Sequence, residues 1–188
     1  ATYEVGGRQR EAYLCSPGGV GPYPAVVYAH GRLVDLYGSA DYGALGSDLM
    51  GICEAFAVRG FVLVAPVQRS EDIDLVGHER EVNGAVEFAM GRPEVDPRRV
   101  SLVGYDRGGF LALRIAIDRD DLMTLAVMSP SAEGEKYAQM VNEVAFVSAS
   151  VLIAVADSAD AVGLEKVAAL ERILVKHSKS FRTVHFAT

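Results

Sequence analysis

The sequence has no tryptophan, only two cysteines, and fewer basic than acidic side chains, 18 against 25. Each shortage excludes something. At a net charge of −7 the chain lacks the basic face that a phosphate backbone demands, so nucleic acid is not expected as a partner. Cys15 and Cys53 show no ligand spacing and no metal site is expected; they are read as reduced thiols, which points to a cytoplasmic setting. Long hydrophobic runs are missing as well. The longest, such as Phe61 to Val67, fall far short of a bilayer, and the opening ATYEVGGRQR has no apolar leader core, so no membrane association is expected.

What is present fits one soluble domain. Half of the 188 residues are hydrophobic and 23% are charged, so a single domain over 1–188 is expected. A chain of this length buries roughly 70% of its unfolded surface and needs neither disulfide nor metal to fold. Short apolar runs alternate with segments of helical period, the pattern of βαβ units around a buried parallel sheet. Strands are expected at Ala25 to Ala29, Phe61 to Ala65, Val100 to Val103, Leu125 to Met128, Val151 to Ala156 and Arg182 to Phe186. Tyr3 to Val5 and Glu11 to Leu14 read as an N-terminal hairpin.

Between the strands, Ser47 can cap a helix carrying Leu49, Ile52, Cys53 and Phe56, with Gly60 ending it. Further helices are expected from about Asp74 to Met90, after the turn Gly104 to Gly109, and from Leu164 to Lys176. The fold class is therefore α/β, a doubly wound, mostly parallel sheet with helices on both faces.

The most informative stretch is VDPRRVSLVGYDRGGFLALRIA, Val95 to Ala116. A buried strand runs into Gly104-Tyr105-Asp106-Arg107-Gly108-Gly109 and straight on into a helix. Glycines two residues either side of Asp106 permit a tight strand-to-helix turn and lift residue 106 above the C-terminal edge of the sheet, where ligands bind in open α/β folds. Arg107 would then begin the helix, where amide donors and the dipole favour negative charge.

This segment resembles the nucleophile elbow of the α/β-hydrolase superfamily, G-x-Nu-x-G. Together with PYPAVVYAHG (Pro22 to Gly31), RGFVLVAP (Arg59 to Pro66) and EVDPRRVSLVGY, it is most similar to the dienelactone hydrolase branch, over nearly the whole chain. The resemblance implies a hydrolase of a small ester or lactone, with no cofactor, a small-molecule substrate, no cap domain and room for a homodimer. It implies Asp106 at the nucleophile position and an oxyanion hole formed by the backbone N–H groups of Arg107 and Arg32. The acidic triad member follows VLIAVA. Asp160 matches the family's D-x-V pattern better than Asp157, and either could instead be a helix N-cap.

Two departures stand against that pattern. A carboxylate at residue 106 suits displacement at sp³ carbon, because attack on an ester carbonyl would give an anhydride. The superfamily's dehalogenases and epoxide hydrolases work by such displacement, and DRGG resembles the fluoroacetate branch. Against that branch, the segment 131–150 leaves room for a loop and one helix, YAQMVNEVAF, rather than a cap. No Trp is present to cradle a halide, and Phe110 stands where that branch has an Arg. An altered, catalytically silent or engineered serine hydrolase site is the third reading.

The second departure is the base. His30 reads as a structural residue supporting its loop, His78 lies inside a helix, and His177 ends one. His185 is expected to point into the sheet layers. In the resembling family the catalytic histidine follows the strand that matches RTVHFAT, which implies a truncated C-terminus with the base beyond Thr188.

Overall fold

The computed structural model describes residues 1–34, 48–67, 75–131 and 136–187. Its sheet has the order β1-β2-β4-β3-β5-β6-β7-β8, with β1 at Thr2–Val5, β2 at Arg8–Cys15, β3 at Tyr23–Ala29 and β4 at Val62–Pro66. The second half comprises β5 at Val95–Tyr105, β6 at Thr124–Met128, β7 at Ser150–Ala156 and β8 at Phe181–Phe186. β2 runs antiparallel to both β1 and β4, and every later pairing is parallel. The helices are α1 (Leu49–Ala57), α2 (Leu75–Met90), α3 (Arg107–Ile117), α4 (Lys136–Glu143) and α5 (Ala161–Lys176), with a 3-10 turn at Val144–Phe146.

Strands buried on both faces read as continuous apolar runs, and β3 and β4 show why. Ala25, Val27, Val62 and Val64 face the larger core, shared with buried residues of α2, α3 and α5. Val26, Tyr28, Leu63 and Ala65 face a smaller core with Leu49 and Cys53 of α1. β5 begins earlier than the apolar run at Val100. Its register against β3 jumps between Tyr23↔Val95 and Ala25↔Val100, and the extra residues form a polar excursion in which Arg98 N–H donates to Asp96 Oδ1 at 3.1 Å. Polar residues in an irregularity carry no strand signal, which is why the sequence places the start too late.

The expected caps meet mixed outcomes. Ser47 and Asp74 lie outside the described residues, and the N-cap position of α1 is held by Asp48. α5 starts at Ala161, ahead of Leu164, because Asp160 Oδ1 accepts from Gly163 N–H at 2.7 Å.

One expectation is overturned outright. Cys15 and Cys53 are joined in a disulfide with their Cα atoms 5.5 Å apart, so no cysteine is free. The bond ties the end of β2 to the middle of α1. Packing α1 over β2 and β4 brings together two residues separated by 38 positions, a proximity that no local spacing signals.

A buried polar group joins the N-terminal hairpin to α2. Glu81 is 3% exposed and pairs with Arg10 at 2.5 Å, while Tyr3 O–H donates to the Glu81 backbone carbonyl at 3.1 Å. Burial pushes the Glu81 carboxyl above its ordinary range, and the adjacent Arg10 charge opposes that rise. Among the described residues, no helix is long and apolar enough to cross a membrane.

Candidate active site

β3 and β5 lie side by side, but the chain leaves them in opposite directions. After β3 it travels to α1 and β4 on one side, and after β5 to α3 and β6 on the other. The loops beyond the two strands therefore diverge and open a crevice at the C-terminal edge of the sheet, the usual ligand position in doubly wound folds. Residues 30–32 and Asp106 stand at that point.

Asp106 sits between β5 and α3 with φ 52 and ψ −118, in backbone space that favours glycine. The strain is held by its surroundings. Its N–H donates to Met128 O at 3.0 Å, and its carbonyl accepts from Gly109 N–H at 3.1 Å, Phe110 N–H at 3.3 Å and Ser131 N–H at 2.9 Å. The elbow glycines are sterically required. A Cβ on Gly104 would collide with the Gly108 carbonyl, and one on Gly108 would collide with the carbonyl of Ala29 at the end of β3. The turn thus presses α3 against β3 and projects residue 106 toward the crevice.

The carboxylate of Asp106 already has a backbone donor. Arg32 N–H donates to Asp106 Oδ2 at 3.0 Å across the crevice, and among the described residues this is its side chain's hydrogen-bond partner. Gly31 makes the approach possible, since a Cβ there would lie 3.2 Å from Asp106 Cβ and 3.3 Å from Oδ2. Arg107 is the first residue of α3, so its N–H lies at the positive end of that helix.

His30 is 1% exposed, and its Nδ1–H donates to Gly31 O at 3.1 Å. Burial lowers its pKa to about 4; the bond to Gly31 opposes that fall and the nearby Arg107 charge adds to it. The ring is therefore neutral at neutral pH, and its place beneath the loop agrees with a supporting residue.

The two aspartates after β7 have different surroundings. Asp160 spends Oδ1 on capping α5, whereas Asp157 Oδ1 lies 3.6 Å from His185 Nδ1. Asp157 N–H also donates to Phe186 O at 2.9 Å, fastening the end of β8 to the β7 turn. The side chain of His185 is 60% exposed. That corrects the expectation that it points into the sheet layers.

The register puts Tyr105, Met128, Ala154 and Val184 in one row, so His185 and Asp106 stand at the same height. They are three strands apart in the order β5-β6-β7-β8, roughly 14 Å at about 4.8 Å per strand. Asp157 and His185 meet each other, and the strand spacing keeps them from Asp106. His177 is the C-cap of α5 and His78 is buried in α2, so neither reaches the crevice from its element.

The sequence reading missed the turn after β6. Ser129 has φ 45, unusual for a residue with a side chain, and Met128 and Ser131 supply two of the bonds that brace the elbow. Pro130, packed 3.2 Å from where a Gly109 Cβ would lie, was the available signal. Among the described residues, no group of three or more His, Cys, Asp or Glu side chains could hold a metal ion.

Solved structures share this fold at low identity. A Klebsiella pneumoniae protein assigned as a dienelactone hydrolase superposes with a TM-score of 0.77 at 15% identity, over 99% of this chain and 84% of its own. Est1E from Butyrivibrio proteoclasticus gives 0.75 at 17% identity, over 100% of this chain and 88% of its own. The acylaminoacyl peptidase of Pyrococcus horikoshii gives 0.79 at 14% identity, over 100% of this chain but 36% of its own. No family model and no curated protein matches the sequence. The chain has the α/β-hydrolase fold.

Proposed function

We propose that this chain is a hydrolase of the dienelactone hydrolase type, built for a small ester or lactone when its site is complete, with Asp106 at the nucleophile position. The observation that carries the reading is the Arg32 N–H, 3.0 Å from the side chain at the tip of a strained strand-to-helix turn. With a substrate carbonyl oxygen in the place that Oδ2 holds here, such a backbone donor stabilises an acyl-transfer oxyanion. Arg107 N–H is the second donor in this reading. Asp160 was the acid expected from the pattern; its capping bond and the Asp157–His185 contact favour Asp157 for orienting an imidazole. The net charge of −7 supports a small-molecule substrate over nucleic acid. The disulfide supports maturation in an oxidising compartment and removes the ground for a cytoplasmic one.

The test replaces Asp106→Ser and supplies imidazole as an external base. Release of nitrophenol from p-nitrophenyl acetate, and opening of a small aromatic lactone, are expected above the Asp106→Ala level and in proportion to imidazole. Equal rates for the two variants would sink the reading.

A second reading is favoured by the same contact. Arg32 N–H engages Oδ2, and among the described residues nothing hydrogen-bonds the other carboxylate oxygen. That oxygen could displace a halide from sp³ carbon, or open an epoxide, to form an ester on Asp106. Water attacking the ester carboxyl carbon would then develop an oxyanion on Oδ2, against Arg32 N–H, before releasing the alcohol. Mass spectrometry of the protein after exposure to a haloacetate and to an epoxide decides this: an adduct on the Asp106 peptide supports it, and an unmodified peptide counts against it.

A further inference from the structure

The Gly31 carbonyl and the Arg32 N–H belong to one peptide unit, and that unit is held at both ends. Gly31 O accepts from His30 Nδ1–H at 3.1 Å and from Val34 N–H at 3.2 Å, while Arg32 N–H donates to Asp106 Oδ2 at 3.0 Å. A trans peptide is planar, with its C=O and N–H pointing in opposite directions, so fixing one fixes the other. We propose that His30 is a positioning residue: by donating from Nδ1 to the Gly31 carbonyl, it turns the 31–32 peptide so that the Arg32 N–H faces the side chain of residue 106.

The setting makes His30 able to do this. A Cβ on Gly108 would sit 2.6 Å from His30 O, so the first turn of α3 rests directly on the backbone of the residue carrying the imidazole. The ring itself is 1% exposed and cannot trade its bond for water. On the far side, Val34 is buried against Leu49 and Cys53 of α1, which anchors the second donor to Gly31 O. A carbonyl has two lone pairs, and with both occupied from different directions the peptide plane has little freedom to rotate. The contact also selects a tautomer, since the carbonyl accepts only if Nδ1 carries the proton.

The catalytic use of this device rests on the reading of Arg32 as an oxyanion donor; its existence does not. The test is therefore spectroscopic. In ¹⁵N-labelled protein at neutral pH, long-range ¹H–¹⁵N correlations of His30 are expected to show the proton on Nδ1; a proton on Nε2 alone would overturn the proposal. His30→Asn keeps a donor near the Nδ1 position and His30→Leu removes it.

Hydrogen exchange at the Arg32 amide, referenced to core amides of β4 and β7, is expected to match wild type in His30→Asn. In His30→Leu it should accelerate roughly fivefold to tenfold, the factor one ordinary hydrogen bond supplies. Unchanged exchange in His30→Leu would mean that Val34 alone sets the peptide. Equal loss in both variants, with the core amides intact, would mean that the ring acts only by filling space. Either result overturns the proposal. An enzymatically silent site would leave all of these measurements unaffected, so failure here is distinct from failure of the hydrolase reading.

Discussion

Arg32 N–H reaches Asp106 Oδ2 at 3.0 Å although 74 residues separate them in sequence. The contact spans the crevice between β3 and β5, where the two halves of the sheet part, and it joins the two loops that the fold brings together. Removing the donor without removing the residue is the direct probe of its worth. Residues 32–34 are helical, so proline at 32 suits the backbone while it removes the N–H together with the guanidinium side chain. Arg32→Pro is expected to fold normally and to lower kcat about a hundredfold on any ester turned over by the Asp106→Ser protein. Arg32→Ala, which keeps the N–H, is the control and should stay within about threefold, less than one ordinary hydrogen bond supplies.

The elbow should tolerate no side chain at its glycines. Gly108→Ala places a methyl group into the Ala29 carbonyl, where backbone rather than a flexible side chain must yield. A loss of about 3 kcal/mol or more is expected from the urea midpoint, or failure to fold. Gly6→Ala, where a Cβ meets nothing within 4 Å, should cost only what its φ of +57 imposes, about 1 kcal/mol.

Cys15 and Cys53 close a loop with a sequence separation of 38. The chain-entropy cost of releasing such a loop is roughly 4 kcal/mol. Guanidinium unfolding of Cys15→Ala/Cys53→Ala, or of the protein in a strong dithiol, should show an unfolding free energy lower by about that amount. Thiol titration of the unfolded protein without reductant should find no free thiol. Two reactive thiols in that sample would show that the bond does not form.

These residues also mark how far sequence reading reaches. β3 and β4 are legible because strands covered on both faces must be apolar throughout. The elbow is legible because a strained turn leaves glycine no substitutes at Gly104 and Gly108. The disulfide is not legible, because its proximity exists only once β2 turns antiparallel to β4 and α1 packs over both. The choice between Asp157 and Asp160 is likewise invisible: both follow the same strand, and only the starting point of α5 decides which one caps it. His185 was misjudged because alternation along a strand gives the face of a side chain but not whether a helix covers that face at the strand's end.

Glu81 gives a pH signature. Its folded pKa is raised above the ordinary 4.5, chiefly by burial, so the folded state holds the proton more tightly than the unfolded chain. This group's contribution is therefore fully present below about 4.5 and is lost as pH rises through the raised folded value. Chemical denaturation of wild type and Glu81→Gln across that range should show wild type losing stability relative to the variant as pH rises. Arg10→Met, which leaves the buried carboxylate without its partner, should steepen the loss; a slope that does not change would show that the pair is not coupled.

Asp157 and Asp160 can be separated by asking each for a different kind of loss. Asp160→Ala removes the acceptor of Gly163 N–H and should cost about 1 kcal/mol of stability, with turnover unchanged. Asp157→Ala breaks a contact between side chains that are 57% and 60% exposed, and pairs of that kind contribute little to folding. If Asp157 orients the imidazole supplied as external base, its removal should instead lower the imidazole-dependent kcat of the Asp106→Ser protein while leaving the melting midpoint where it was. His185→Gln should leave turnover unchanged as well, because a side chain three strands from Asp106 cannot take a proton from it without leaving β8. A fall in turnover with Asp160→Ala at unchanged stability would reverse the assignment and make Asp160 the functional acid despite its capping bond.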